Sequence, residues 1–194
     1  MGLANCAASQ LPAPHLIVRS HKDEGLSMKL WKRIVIILLV SASCIGCDQS
    51  TKILADEYLP RNEMISYLND TVRIGYTENI GSFLGAGSDL SSNLRFSLFV
   101  VFVGLVLVGL LIHLLVSSKY SLLTLTGLTL TFSGGLSNFY DRSVNNGAVI
   151  DFLNVGIGSI RTGIFNIADM AIMLGIALIV YASFKGSGRI KHDF

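Results

Sequence analysis

The chain has 194 residues, 51% of them hydrophobic and only 14% charged, with a net charge of +2. A mean hydropathy of +0.59 and several long apolar runs exclude an ordinary water-soluble domain and point to an integral membrane protein. The cysteines Cys6, Cys44 and Cys47 are odd in number, and two lie in an apolar run, which excludes a disulfide framework.

Residues 1–28 are mixed and polar, with Pro12 and Pro14, and are expected to be a disordered N-terminal extension. Met28 opens a more conventional start, Met-Lys-Leu-Trp-Lys-Arg. The first apolar run, Ile34 to Cys47, follows Lys29, Lys32 and Arg33. A bilayer core needs about 20 helical residues, so the first span is placed at about 31–51. A basic, then apolar, then small-residue order is also that of a secretory signal peptide, and Cys44-Ile-Gly-Cys47 resembles a lipobox. The further apolar segments argue against a simple secreted lipoprotein. Cys44 and Cys47 also have CxxC spacing, but no second pair or nearby histidine completes a metal site, and no metal is expected.

Residues 53–95 form the longest polar connection. Val72 to Tyr76 alternates roughly and is expected as a strand, within a small, partly β extramembrane unit. The second span is placed at about 96–116 and the third at about 121–140, where Gly127, Gly134 and Gly135 permit close helix approach. The fourth is placed at about 164–184, followed by a basic tail, 185–194. Lys and Arg set orientation. With four spans, the groups before span one, at Lys119 and after span four fall on one side. That side is therefore expected to be cytoplasmic, with both termini there. Segments 53–95 and 141–163 then face outward. Asp48, Asn79, Asp141, Arg142, Asp151 and Asp169 collect at the outer leaflet.

Ionisable groups at membrane depth are costly and mark functional sites. Asn138, Asp141 and Arg142 share a helical face if span three stays helical, and Asn166 and Asp169 are spaced i, i+3. Structural roles are available for each. Asn166 can cap a helix, Asp48 and Lys52 can form an interfacial ion pair, and Asp141 with Arg142 can anchor a loop. These roles do not require so many acids at one depth. Two close carboxylates in a poorly solvated place share a proton; one can activate water while the other donates. Asp151 and Asp169 are the candidates for this pair. His15, His21, His113 and His192 fall on the cytoplasmic side or in the tail, so a zinc site or Ser-His-Asp triad lacks its imidazole at the outer face. Ser50 and Lys52 are i, i+2 and do not face each other on a helix.

The motifs Asp48-Gln-Ser-Thr-Lys52, Thr77-Glu-Asn-Ile-Gly-Ser-Phe83, Gly134-Gly-Leu-Ser-Asn-Phe-Tyr-Asp-Arg142, Gly147-Ala-Val-Ile-Asp-Phe152 and Phe165-Asn-Ile-Ala-Asp169 resemble, in order, those of the lipoprotein signal peptidase (signal peptidase II) family. The resemblance covers nearly all of 29–184. It implies an α-helical integral membrane protein, a bundle of four transmembrane helices with a small extracytoplasmic β-cradle and a short amphipathic helix. The implied activity is that of an aspartic endopeptidase of the bacterial inner membrane. It removes signal peptides from diacylglyceryl-modified prolipoproteins, cutting before the lipidated cysteine. Asp151 and Asp169 match the catalytic positions. Asp48, Asn79, Asn138, Asp141, Arg142 and Asn166 match supporting polar positions, with Lys52 and Gly81 in the same motifs. Asp141 is expected to orient Arg142. The implied partners are prolipoprotein substrates, membrane lipid and globomycin-type inhibitors. No cofactor, metal or nucleic acid is expected, and the chain is expected to be a monomer. Ser137 and Ser82 depart from the family's usual glycine and alanine, and the stretch from Arg142 to Asp151 is about one residue longer than expected. Two other readings are a small transporter or channel, which requires a continuous polar path through the bilayer, and a structural membrane lipoprotein processed at Cys47.

Overall fold

The structure, a computed structural model, describes residues 28–61, 63–81, 87–117 and 119–187. The expected N-terminal extension, Ser82 and most of the basic tail lie outside the described residues.

Helix α1 (Leu30–Tyr58) is 29 residues long, about 44 Å at the helical rise, and so exceeds a hydrocarbon core of about 30 Å. Its buried residues, Arg33, Ile37, Cys44, Asp48, Lys52 and Ala55, form one stripe at helical spacing. Ordinary soluble amphipathicity is inverted here. Arg33, Asp48 and Lys52 face the protein, while Leu38, Leu39, Ile53 and Leu54 are exposed. Helix α2 (Ser92–Phe96) runs through a π-helical turn, Ser97–Phe102, into α3 (Val103–Val116). Helix α4 (Leu122–Val144) is capped by Ser121, whose side chain accepts from the Thr124 N–H. Helix α5 (Ile167–Ser187) completes the bundle.

Among the described residues, three helices, α1, the continuous helix Ser92–Val116 and α5, are long and apolar enough to cross a membrane on their own composition. Helix α4 is long enough but carries Thr, Ser, Gly and the polar end Asn138–Arg142. It sits among the others, with Thr129, Ser133, Ser137, Asn138 and Asp141 buried. Its polar atoms therefore meet protein, as polar side chains inside a membrane bundle must. The result is a four-helix membrane bundle in which α1 runs parallel to α4, while α3 and α5 run antiparallel to it. Glycine sets the α4–α5 separation. A Cβ on Gly127 would meet the Gly175 carbonyl oxygen at 2.7 Å, and one on Gly134 would meet that of Ala168 at 2.4 Å. Small residues allow this backbone contact where lipid offers no hydrophobic drive for association.

At the far end, Arg33 Nη2 donates to the carbonyls of Leu114 at 2.6 Å and Leu115 at 3.1 Å. A cation thus satisfies the last carbonyls of α3. Ile37, Leu107, Leu114, Leu125 and Phe132 form the apolar core beside it.

A four-stranded antiparallel sheet closes the other end. Its order is β1 (Ile65–Tyr67), β2 (Val72–Asn79), β3 (Val149–Ile157), β4 (Ile160–Arg161). The expected strand at Val72–Tyr76 lies within β2. Strand β3 was not anticipated, so the β unit joins both polar segments rather than 53–95 alone. The register places Thr77 opposite Asp151 and Asn79 opposite Val149, with a bulge between Ile74 and Thr77. Arg161 ties the two hairpins together, donating to Asn154 Oδ1 and to the Asp70 carbonyl, both at 2.6 Å. The short amphipathic helix implied by the resemblance has no separate counterpart among the described residues.

Candidate active site

Asp151 lies on the face of β3 that also carries Val149, because side chains alternate along a strand. It is 2% exposed. Asp169 lies in the first turn of α5 and Asn166 precedes that helix. The Asp169 N–H donates to Asn166 Oδ1 at 3.0 Å, and the Asn166 N–H donates to Asp169 Oδ2 at 3.3 Å. This is a reciprocal capping box, with Asn and Asp in place of the usual Ser and Glu. The capping role foreseen for Asn166 and its place in the site are therefore one arrangement.

Three asparagines serve the two carboxylates. Asn79 Nδ2 donates to Asp151 Oδ2 at 2.9 Å, Asn166 Nδ2 to Asp151 Oδ1 at 2.7 Å, and Asn138 Nδ2 to Asp169 Oδ1 at 2.9 Å. Asn166 Nδ2 also lies 3.1 Å from Asn138 Oδ1, which links the two acids through neighbouring amides. Every carboxylate oxygen of the pair accepts a hydrogen bond. Burial and the nearby Asp169 charge push the Asp151 carboxyl up to about 7, although the amides of Asn79 and Asn166 favour its ionised form. Desolvation is the largest cause and outweighs those hydrogen bonds.

Behind the pair lies a second charged cluster. Lys52 Nζ is 2.7 Å from Asp48 Oδ2, 2.8 Å from Asp141 Oδ2 and 2.8 Å from Asn138 Oδ1. Asp48 Oδ1 accepts the Ala168 N–H at 2.8 Å, which satisfies one orphan donor of α5. The ion pair Asp48–Lys52 is buried rather than interfacial, at 0% and 2% exposure. Breaking such a pair by removing one partner typically costs about 3–5 kcal/mol, because the other charge is stranded.

Asp141 does not orient Arg142. It pairs with Lys52 and accepts from Gln49 Nε2 at 2.8 Å. Consecutive helical residues diverge by about 100°, so Arg142 points elsewhere. Its Nη2 donates to the Gly81 carbonyl at 2.7 Å, and its guanidinium lies 5.6 Å from the Phe99 ring centre. The Gly81 N–H in turn donates to Asn79 Oδ1 at 3.0 Å. All ten candidate positions thus belong to one connected network. Two participants were missed. Gln49 Nε2 donates to Ser137 Oγ at 2.9 Å, and Ser137 Oγ donates to Asp48 Oδ2 at 2.7 Å. Gln49 stood inside the Asp48–Lys52 motif, and its i, i−1 relation to Asp48 gave no sign that it faces α4.

The acids open into a cavity of about 350 Å³. Its lining combines the polar Asn79, Asn138, Arg142, Asp151 and Asp169 with the apolar Val149, Ile164, Phe165, Met170 and Met173. Met170 and Met173 are exposed on the outside of α5, so the apolar lining continues onto the helix surface that faces lipid. Methionine adapts its shape readily, which suits an extended apolar ligand. Among the described residues, no group of three His, Cys, Asp or Glu side chains is arranged to hold a metal ion. His113 is at the opposite end of the bundle against Tyr120. The two carboxyls that face this cavity are groups able to exchange protons.

The chain is similar in sequence and fold to known proteins. The profile of the Signal peptidase (SPase) II family matches residues 40–185. The lipoprotein signal peptidase of Thermodesulfovibrio yellowstonii is 31% identical over 160 residues, covering 82% of this chain and 99% of that protein. That of Geobacter sulfurreducens is 35% identical over 132 residues, covering 68% and 81%. A solved structure described as a bacterial membrane enzyme superposes with a TM-score of 0.69 at 27% identity, covering 84% of this chain and 94% of its own. A second structure so described gives a TM-score of 0.62 at 26% identity over 84% and 95%. A profile match across most of the chain, and relatives above 30% identity over most of their length, place this protein in the signal peptidase II family of membrane peptidases.

Proposed function

We propose that Asp151 and Asp169 are the catalytic carboxylates of an aspartic endopeptidase that releases signal peptides from diacylglyceryl-modified prolipoproteins, cutting before the lipidated cysteine. The observation that carries this reading is the paired amide support. Asn79 and Asn166 hold Asp151, and Asn138 and the Asn166 N–H hold Asp169. The two acids share one cavity whose lining also includes the apolar Val149, Ile164 and Phe165 and the exposed Met170 and Met173 of α5.

In the proposed reaction the pair holds one proton, because two carboxyls so placed resist double ionisation. A water lies between them. The ionised carboxyl takes a proton from the water as its oxygen attacks the scissile carbonyl carbon. The protonated carboxyl gives its proton to the carbonyl oxygen, and a neutral diol forms. The acid that gained the water proton then protonates the leaving nitrogen, while the other recovers a proton from the diol as the C–N bond breaks. Both carboxyls end in their starting states. Arg142 and the asparagine amides orient the carboxyls and the substrate backbone.

The basic residues Lys29, Lys32, Arg33, Lys119 and Lys185 support a bacterial inner-membrane topology with both termini cytoplasmic and the acids toward the outer leaflet. The substrate's apolar helix would enter beside Met170 and Met173, its acyl chains staying in lipid. Globomycin-type inhibitors would compete for the same cavity. The proposed site residues form one connected network within a single chain, so a monomer suffices for the proposed reaction.

The test is cleavage of a purified diacylglyceryl-modified prolipoprotein in detergent with a chelator present. Wild type should cut before the lipidated cysteine, whereas Asp151→Asn and Asp169→Asn should lose turnover while remaining folded. Full activity in either variant would remove that residue from the pair.

A further inference from the structure

Lys52 is almost completely buried, a position lysine seldom takes unless paired. An ammonium has three donors and no acceptor; here it lies at ion-pair distance from Asp48 and Asp141 and donates a hydrogen bond to Asn138 Oδ1. Two carboxylates already supply more negative charge than one ammonium needs. The third contact, to a neutral amide, therefore calls for another explanation.

That contact dictates which way Asn138 faces. Only oxygen can meet the ammonium, so the Asn138 amide nitrogen is turned toward Asp169 Oδ1, at 2.9 Å. Asn138 Oδ1 also receives Asn166 Nδ2, which in turn reaches Asp151 Oδ1. The other two asparagines are oriented by main-chain donors: Asn79 by the Gly81 N–H and Asn166 by the Asp169 N–H. Asn138 is oriented by a charged side chain, the Lys52 ammonium. The ammonium itself is pinned from three elements. Asp48 on α1 is held by the Ala168 N–H of α5 and by Ser137 Oγ of α4, and Asp141 is held by Gln49 Nε2.

We infer that Lys52 is a positioning residue for peptide hydrolysis: its ammonium fixes the Asn138 amide in the one orientation that donates to Asp169 and accepts from Asn166, so a single buried cation sets the geometry of both acids. This inference rests on the proposed role of Asp151 and Asp169. Without the ammonium the Asn138 amide can reverse and set its oxygen against the Asp169 carboxylate. Misplacement of a reacting group on that scale costs about a hundredfold in rate.

The test compares wild type, Lys52→Met, Asn138→Ala and the double variant in the prolipoprotein cleavage assay, with turnover expressed per folded enzyme. Lys52→Met should lower kcat about a hundredfold with KM nearly unchanged. It should add little further loss in the Asn138→Ala background, because both changes remove the same link. The alkaline limb of its pH–rate profile should also move to higher pH. The charged groups acting on Asp151 are Asp169 from α5, Lys52 from α1 and Arg142 from α4, while β2 contributes the neutral Asn79. Removing Lys52 therefore takes away a charge that favours ionisation.

A purely structural lysine would lower thermal stability and leave kcat per folded enzyme in place, although the loss of its charge would still move the profile. Normal kcat in folded Lys52→Met, or losses that multiply with Asn138→Ala, would overturn the inference. Where stranded carboxylates prevent folding, Lys52→Met with Asp141→Asn removes one charge of each sign and must still show the kcat loss. Normal turnover there, or failure of both variants to fold, assigns Lys52 to stability alone. Asp151→Asn and Asp169→Asn run alongside; activity in either defeats the two-aspartate reading whatever Lys52 does.

Discussion

Asn166 and Asp169 cap each other across the first turn of α5, at 3.0 Å in one direction and 3.3 Å in the other. The same Asn166 side chain donates to Asp151 at 2.7 Å. Helix initiation and the proposed catalytic geometry thus share one residue, and substitution can separate them. Asn166→Ser keeps a capping oxygen, but its side chain is too short to reach Asp151. It should retain most of the thermal stability in detergent while turnover falls at least tenfold. Asn166→Ala should lose the turnover and also about 1 kcal/mol of helix capping. Equal melting temperatures for the two variants would show that the cap contributes little.

The Asp151 carboxyl gives stability a pH dependence of defined sign. Its ordinary value is 3.8, and the folded protein raises it to about 7. Between those values the folded state keeps a proton that the unfolded chain releases. Stability from this group is therefore present in full below about pH 4 and declines as pH rises toward 7. Asp151→Asn, which stays neutral, should be more stable than wild type at pH 8, by a few kcal/mol at most. The gap should close at pH 4. Thermal unfolding of both proteins in one detergent across that range measures it. A gap that widens toward acid would mean that the native site favours the ionised carboxyl.

Ser137 stands where the resemblance leads one to expect glycine, and its hydroxyl donates to the buried Asp48 carboxylate at 2.7 Å. A hydrogen bond to a charged group contributes about 1.5–3 kcal/mol. Ser137→Gly also places glycine within α4, which costs up to about 1 kcal/mol. The variant should melt several degrees lower than wild type. Asp48 keeps Lys52 and the Ala168 N–H, so turnover should stay within a few-fold of wild type. A hundredfold loss would show that this hydroxyl helps to set the site.

Much of this arrangement could be read from the chain. Four apolar or small-residue segments, with lysines and arginines at alternate ends, were enough to gather Asp48, Asp141, Asp151 and Asp169 at one end. Spacing placed Asp48 with Lys52 and Asn166 with Asp169. What escaped notice was contact between elements. Val149–Ile157 mixes apolar and polar residues without clean alternation, because Asp151, Phe152 and Asn154 are all buried. The strand was therefore not separable from a loop. Asp141 and Arg142 looked like partners because they are adjacent, yet adjacency on a helix sends side chains apart. Gln49 and Ser137 carry no sign of their roles until α1 and α4 are set side by side.

The close approach of α4 and α5 yields a prediction that joins packing to chemistry. A Cβ on Gly134 would meet the Ala168 carbonyl oxygen at 2.4 Å and Ile172 Cγ1 at 2.8 Å. Neither α4 nor the α5 backbone can yield by rotating a side chain alone. Gly134→Ala must therefore push the first turn of α5 outward, and that turn carries Asp169. Overpacking of this kind costs about 1–3 kcal/mol. Here it should also lower turnover strongly, because Asn138 on α4 must still reach Asp169 on α5. Gly46 and Gly109 have no atom within 4 Å of a built Cβ. At those two helical positions, alanine should leave turnover unchanged and stabilise slightly through its better helix propensity. Cleavage rates and melting temperatures of the three alanine variants distinguish the close contact from a general dislike of alanine in these helices. If Gly134→Ala behaves like the other two, the α4–α5 contact is looser than its backbone distances imply, and the position of Asp169 does not depend on it.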